Sequence, residues 1–176
     1  LFWLAGAWLL LNLAQAAFSA LTEDEAYYWM YSLAPDWGYF DHPPMIALFI
    51  IAGKWLGGEL GVRLVSVLAQ VGALLLLFRL AREQWPGAHR PLLFFGIAFS
   101  IVIFQVFGFV ATPDSPLLFF AAAFLYVYRR FAAQDAWTNT LLLGFTAAGL
   151  LYSKYHGALL ILFTVLSNPA LLRRWK

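Results

Sequence analysis

The sequence predicts an all-α integral membrane protein, a polytopic helical bundle of about six transmembrane helices with interfacial helices in its first outer loop. Three observations carry this prediction. Hydrophobic residues fill 63% of the 176 positions and charged residues only 11%, against about 25% charged in a soluble domain. The apolar residues gather in runs near bilayer length, separated by short polar connectors. Lysine and arginine concentrate in alternate connectors, as the positive-inside rule requires.

Leu1–Ala20 is the first expected span. It is uncharged, with no preceding basic region and no clear cleavage site, so it reads as a membrane helix rather than a signal peptide. Pro43–Gly53 is apolar but too short to cross, and is expected in the interface or as a re-entrant turn. Gly61–Leu80 is the second span, with Arg63 and Arg79 near its ends, where they can snorkel. Leu92–Ala111 is the third and Pro116–Tyr128 a short fourth. Ala136–Ser153 and Gly157–Leu172 are the fifth and sixth, forming a tight hairpin around Lys154-Tyr155-His156-Gly157. Trp8, Trp55, Trp85, Trp137 and Trp175 fall mostly near span ends and read as belt residues. The chain opens on Leu1 and stops at Lys176 after a basic cluster. It is therefore expected to be residues 1–176 of an N-terminal transmembrane region, with the first outer loop at 21–60 and the C-terminal part of the parent missing.

Charge orients these spans. Arg79, Arg82, Arg90, Arg129, Arg130, Arg173, Arg174 and Lys176 supply eight of the eleven Lys and Arg residues and mark the cytoplasmic side. Glu23, Asp24, Glu25, Asp36, Asp41, Glu59 and Asp114, seven of the nine acids, fall on the other side with Lys54, Arg63, Lys154, His42 and His156. Cysteine is absent, which excludes disulfides, thiolate metal sites and cysteine nucleophiles. A net charge of +2 is too weak and dispersed for nucleic acid.

The outer face holds the residues with chemistry. Thr22-x-x-Glu25 is a capping box, and acids in a first helical turn complement the helix dipole. That gives Glu25 a structural task and leaves Asp24 without one. Tyr27, Tyr28 and Trp29 suit either anchoring in the headgroup layer or stacking on a sugar ring. Asp114, between Pro113 and Pro116, either caps a helix or pairs with Asp24 across an outer cavity. Asp41 and His42 could bind a divalent metal or a phosphate, although a complete metal site needs further ligands; the alternative is a hydrated turn. Lys154, with His156 beside it, sits between apolar helices, where an anionic partner would offset its desolvation; snorkelling is the alternative.

Taken in order, four segments carry a family likeness. They are Asp24-Glu25 after the first span, Tyr39-Phe40-Asp41-His42-Pro43-Pro44, Thr112-Pro113-Asp114-Ser115-Pro116-Leu117, and Tyr152-Ser153-Lys154-Tyr155-His156-Gly157. The set resembles the N-terminal part of a family-39-type GT-C glycosyltransferase, the group of the dolichyl-phosphate-mannose–protein mannosyltransferases and the bacterial aminoarabinose lipid A transferases. The resemblance implies a multi-pass enzyme of the bacterial inner membrane. Such an enzyme takes a sugar from a polyprenyl-phosphate donor and passes it, with inversion, to a glycan, lipid or protein acceptor on the periplasmic face. It implies Asp24 as general base, Glu25 as its motif partner and Asp114 as a second acidic position. It implies His42 and Lys154 facing the lipid phosphate, and Asp41 at a metal-binding position. A polyprenyl-lipid transporter or flippase, or a noncatalytic membrane subunit, are the competing classes. A transporter would favour ionisable groups near the midplane and an inverted repeat, whereas here they gather at one outer edge.

Overall fold

The computed structural model describes residues 1–84, 90–134 and 136–169. Among these residues every regular element is helical. In chain order they are α1 (Phe2–Phe18), α2 (Glu23–Tyr31), α3 (Met45–Gly53), a 3-10 turn (Lys54–Leu56), α4 (Gly58–Gln84), α5 (Pro91–Ser100), α6 (Val102–Val106), α7 (Asp114–Ala133), α8 (Trp137–Ser153) and α9 (Gly157–Ser167). The chain is thus an all-α membrane bundle. Large apolar side chains such as Trp3, Phe18, Leu92, Phe145 and Phe163 stay exposed on its flanks, as lipid-facing positions do and soluble surfaces do not.

The bundle is a row of packed helices. α1 lies on α4, α4 on α7, and α7 on α8. Trp8, Leu74 and Phe95 fill the α1–α4–α5 junction, and Phe120, Phe124 and Leu150 fill the α7–α8 junction. At Gly149 any side chain would overlap the Phe120 ring, so glycine is what lets α8 approach α7. A third core, formed by Tyr28, Ile46, Ile50, Val62 and Ala111, lies where α2, α3 and the start of α4 meet the segment before α7. The chain reverses from α3 into α4 through Gly57 and Gly58, with φ of 71° and 58°, a conformation that side chains with a Cβ rarely adopt.

Helix length and composition among the described residues do not by themselves confirm six spans. Among the described residues only α4 and α7 are long and apolar enough to cross a bilayer, and α1 with α2 makes a third if that pair, bent by 88°, is one span. α1 and α8, at 17 residues, reach about 26 Å at 1.5 Å per residue, short of a hydrocarbon core of about 30 Å. The expected third span, Leu92–Ala111, is broken. Ile101 is extended between α5 and α6. Carbonyls released there are taken up by side chains, Ser100 Oγ donating to the Ile97 carbonyl and the Gln105 amide to that of Phe99. Uniform apolarity hid this break, because hydropathy reports what lipid tolerates and not where a helix bends. The expected sixth span is α9 as far as Ser167; its end, and Trp85, Arg173, Arg174, Trp175 and Lys176, lie outside the described residues. Trp8 is no belt residue: it is buried and stacks on Phe99 at 4.3 Å.

Candidate functional site

The end of the bundle that carries the α1–α2 turn, the start of α4, the start of α7 and the α8–α9 turn gathers the charges. α2 begins with the expected capping box: the Glu25 amide donates to Thr22 Oγ1, and the Thr22 amide donates to Glu25 Oε2. The same carboxylate does more. Glu25 is fully buried and takes both Arg63 Nε and Arg63 Nη2 at 2.6 Å, a bidentate fork, together with the Ala111 amide at 2.9 Å. Burial pushes the Glu25 carboxyl up, but Arg63 and the Ala111 and Thr22 amides outweigh that and hold it below its ordinary value.

Arg63 does not snorkel. It is fully buried, six residues into α4 counting from Gly58, and its remaining donors reach the carbonyls of Ala16, Ser19 and Ala20. These are carbonyls at the end of α1, which have no partner within the helix. Its guanidinium also lies 5.4 Å from the centre of the Phe109 ring. One ion pair therefore ties α1, α2, α4 and the segment leading into α7. The sequence held one signal of this: an arginine inside an apolar span must be paired, and the first outer loop supplies the acids.

Asp24 is the reverse case. It is exposed on the first turn of α2, and its carboxylate has no hydrogen-bond partner among the described residues. Asp114 opens α7 without capping it; both of its oxygens take Lys154 Nζ, at 2.9 and 3.0 Å. This pair is partly open, with side chains 29% and 24% exposed for Asp114 and Lys154. The α8–α9 hairpin brings Lys154 to this place. His156 is exposed at the start of α9.

The loop before α3 is folded back on α2 by tyrosines. Tyr31 and Tyr39 stack at 3.9 Å, and the Tyr39 hydroxyl donates to the Tyr31 carbonyl at 2.9 Å. Tyr31 donates to Asp41, with the Tyr27 hydroxyl 3.3 Å from the same oxygen. The Tyr31 hydrogen bond holds the Asp41 carboxyl below its ordinary value, against slight desolvation. His42 follows, with Nε2 3.6 Å from Asp41 and its ring edge-on to Tyr28 at 5.5 Å. Trp29 is exposed. Asp41 and His42 alone fall short of a protein-held ligand set, and no group of three or more carboxylate and imidazole side chains gathers for a metal among the described residues.

Tyr28 stands at the centre. It is 8% exposed. Burial, and then the carboxylates of Asp24, Asp41 and Asp114, push its phenol up to about 12. Three of the four acids taken from the sequence as site residues, all but Glu25, thus act on one hydroxyl. From sequence alone Tyr28 is one of several aromatics on a short helix; its contact with the His42 ring comes from the fold of the loop at 32–44.

Comparison with known proteins agrees with the motif likeness. The family described as dolichyl-phosphate-mannose-protein mannosyltransferase matches residues 41–176. That stretch takes in Asp41, His42, Asp114, Lys154 and His156 and begins after Asp24 and Glu25. A lipid A galacturonosyltransferase, RgtD, of Rhizobium johnstonii is 38% identical over 92 residues, which is 47% of this chain and 19% of that protein. The chain therefore spans a small part of the curated relative's length. No solved structure matches.

Proposed function

Because the chain belongs to the dolichyl-phosphate-mannose-protein mannosyltransferase family, we propose that it is part of a membrane glycosyltransferase that moves a sugar from a polyprenyl phosphate to an acceptor on the extracytoplasmic face. The observation that carries this reading is the partly open Asp114–Lys154 pair, at the end of the bundle that also holds the exposed Asp24 and the Asp41–His42 turn packed against Tyr28. In this reading Asp24 is the general base. It accepts a proton from the acceptor hydroxyl as that oxygen attacks the anomeric carbon. The bond from the anomeric carbon to the phosphate oxygen breaks on the opposite face, so the configuration inverts. The departing polyprenyl phosphate gains a negative charge. Lys154 and His42 stabilise that charge, in a site partly closed to water where such interactions strengthen. Glu25 takes no part in proton transfer; with Arg63 it fixes the turn on which Asp24 stands.

The arrangement also suits a lipid-linked donor. An isoprenoid tail requires the apolar flank of the bundle, and its phosphate and sugar require a polar rim at the bilayer edge. A bacterial inner membrane with the site on the periplasmic side fits the charge asymmetry of the sequence. The acceptor class is read from the relative: lipid A, the substrate in RgtD's name, is the first acceptor to test.

The test is the purified full-length parent with a panel of undecaprenyl-phosphate sugars and lipid A. Consumption of one donor, with a product of inverted anomeric configuration, is expected. A folded protein that binds these lipids and never consumes them would overturn the reading in favour of a carrier.

A further inference from the structure

We propose that Tyr28 is a catalytic residue, donating a hydrogen bond to the sugar–phosphate bridging oxygen of the donor as that oxygen leaves. The inference rests on the transferase reading above and deepens it. Four observations lead to it. First, Tyr28 is only 8% exposed as a residue, yet its hydroxyl has no hydrogen-bond partner among the described residues and is not sealed from outside, so it is free to donate to a ligand. Second, its ring is fixed on an apolar floor of Ile46, Ile50, Val62 and Ala111, so packing holds the hydroxyl in one place. Third, Asp24 and Tyr28 are four residues apart on α2 and share one face. Fourth, the His42 ring lies edge-on at 5.5 Å, and Asp114, which holds Lys154, acts electrostatically on the same hydroxyl. The phenol is therefore on the helix face of the proposed base and beside His42, one of the two proposed phosphate-facing groups.

The chemistry suits a neutral donor. Three carboxylates crowd this place, against one lysine already engaged with one of them. A phosphate arriving there meets repulsion, and a directed O–H can contact its oxygen without any change in site charge. The proton stays on Tyr28 throughout: the bond from the anomeric carbon to oxygen breaks, the electron pair goes to the phosphate, and the hydrogen bond strengthens as that oxygen gains charge. Such an interaction is felt in the transition state more than in the bound donor, so it raises kcat more than it lowers KM.

The experiment uses the full-length parent and the undecaprenyl-phosphate sugar that the wild type consumes. Tyr28→Phe removes one oxygen and keeps the ring in its apolar floor. A fall in kcat of about 50-fold, in the range for one hydrogen bond to a charged group, is expected, with the KM for donor nearly unchanged and the melting temperature retained. A kcat within about twofold of wild type would overturn the proposal. Should Tyr28→Phe unfold, 3-fluorotyrosine placed at position 28 keeps the fold and makes the hydroxyl more acidic. The stronger donor should then change kcat while leaving the KM for donor nearly unmoved, and a kcat identical to wild type would overturn the proposal equally. Absence of transfer by the wild type itself would instead overturn the transferase reading.

Discussion

Two ion pairs at one end of this bundle do opposite things. Glu25 and Arg63 are sealed from solvent, and nearly every donor and acceptor they own is engaged within the protein. Asp114 and Lys154 are about a quarter exposed, and beyond each other neither side chain has a hydrogen-bond partner among the described residues. The first pair has no capacity left for a substrate; the second keeps lone pairs and N–H groups for one. The acidic dipeptide Asp24-Glu25 is thus split by the helix it begins. Glu25 turns inward to Arg63 and Asp24 outward to solvent, a consequence of adjacent positions pointing about 100° apart around a helix.

The largest expected effect breaks the sealed pair. Arg63→Met leaves a buried, uncompensated carboxylate and strips three carbonyls of their donor, and should destabilise the protein by about 3–5 kcal/mol. Thermal unfolding in detergent checks this. The double variant Arg63→Met with Glu25→Gln should recover part of the loss, because no unpaired charge remains; a double variant as unstable as the sum of the singles would show that the two residues do not act as a pair.

Acid sharpens the same contrast. The Glu25 carboxyl is held below its ordinary value of 4.5, so its contribution to stability is complete above that pH and is lost as pH falls through the lower folded-state value. The melting temperature should fall on acidification below about pH 4.5, and the double variant should flatten that limb. An equal acid limb in the double variant would place the sensitivity elsewhere.

The open pair should respond more weakly in stability and more strongly in turnover. Lys154→Gln, partly exposed, should cost about 1 kcal/mol or less of folding free energy and lower turnover with polyprenyl-phosphate donor by at least tenfold. Smallest is Tyr31→Phe, which takes one hydrogen bond from Asp41 and should cost about 1 kcal/mol, read as faster hydrogen exchange in the 32–42 loop.

Much of this end of the molecule was legible before its structure. The capping box, the short Pro-bounded loop at Asp114 and the hairpin at Lys154 are local signals, and local signals survive in sequence. The Arg63–Glu25 pair was not legible, because its partners lie 38 residues apart and snorkelling explains an arginine near a span end equally well. The break at Ile101 was hidden for a different reason: the compensating bonds come from Ser100 and Gln105, polar residues too few to interrupt an apolar run. The centrality of Tyr28 depends on a loop folded by tyrosine stacking, for which no periodicity exists.

The proposed division of tasks between the two neighbouring acids is tested by one paired measurement: turnover and melting temperature of Asp24→Asn and Glu25→Gln in the full-length parent. Asp24→Asn should lose turnover by about 10²–10⁴-fold and keep the wild-type melting temperature, while Glu25→Gln should lower that temperature. Near-normal transfer by Asp24→Asn, in a protein as stable as wild type, would show that Asp24 is not the general base.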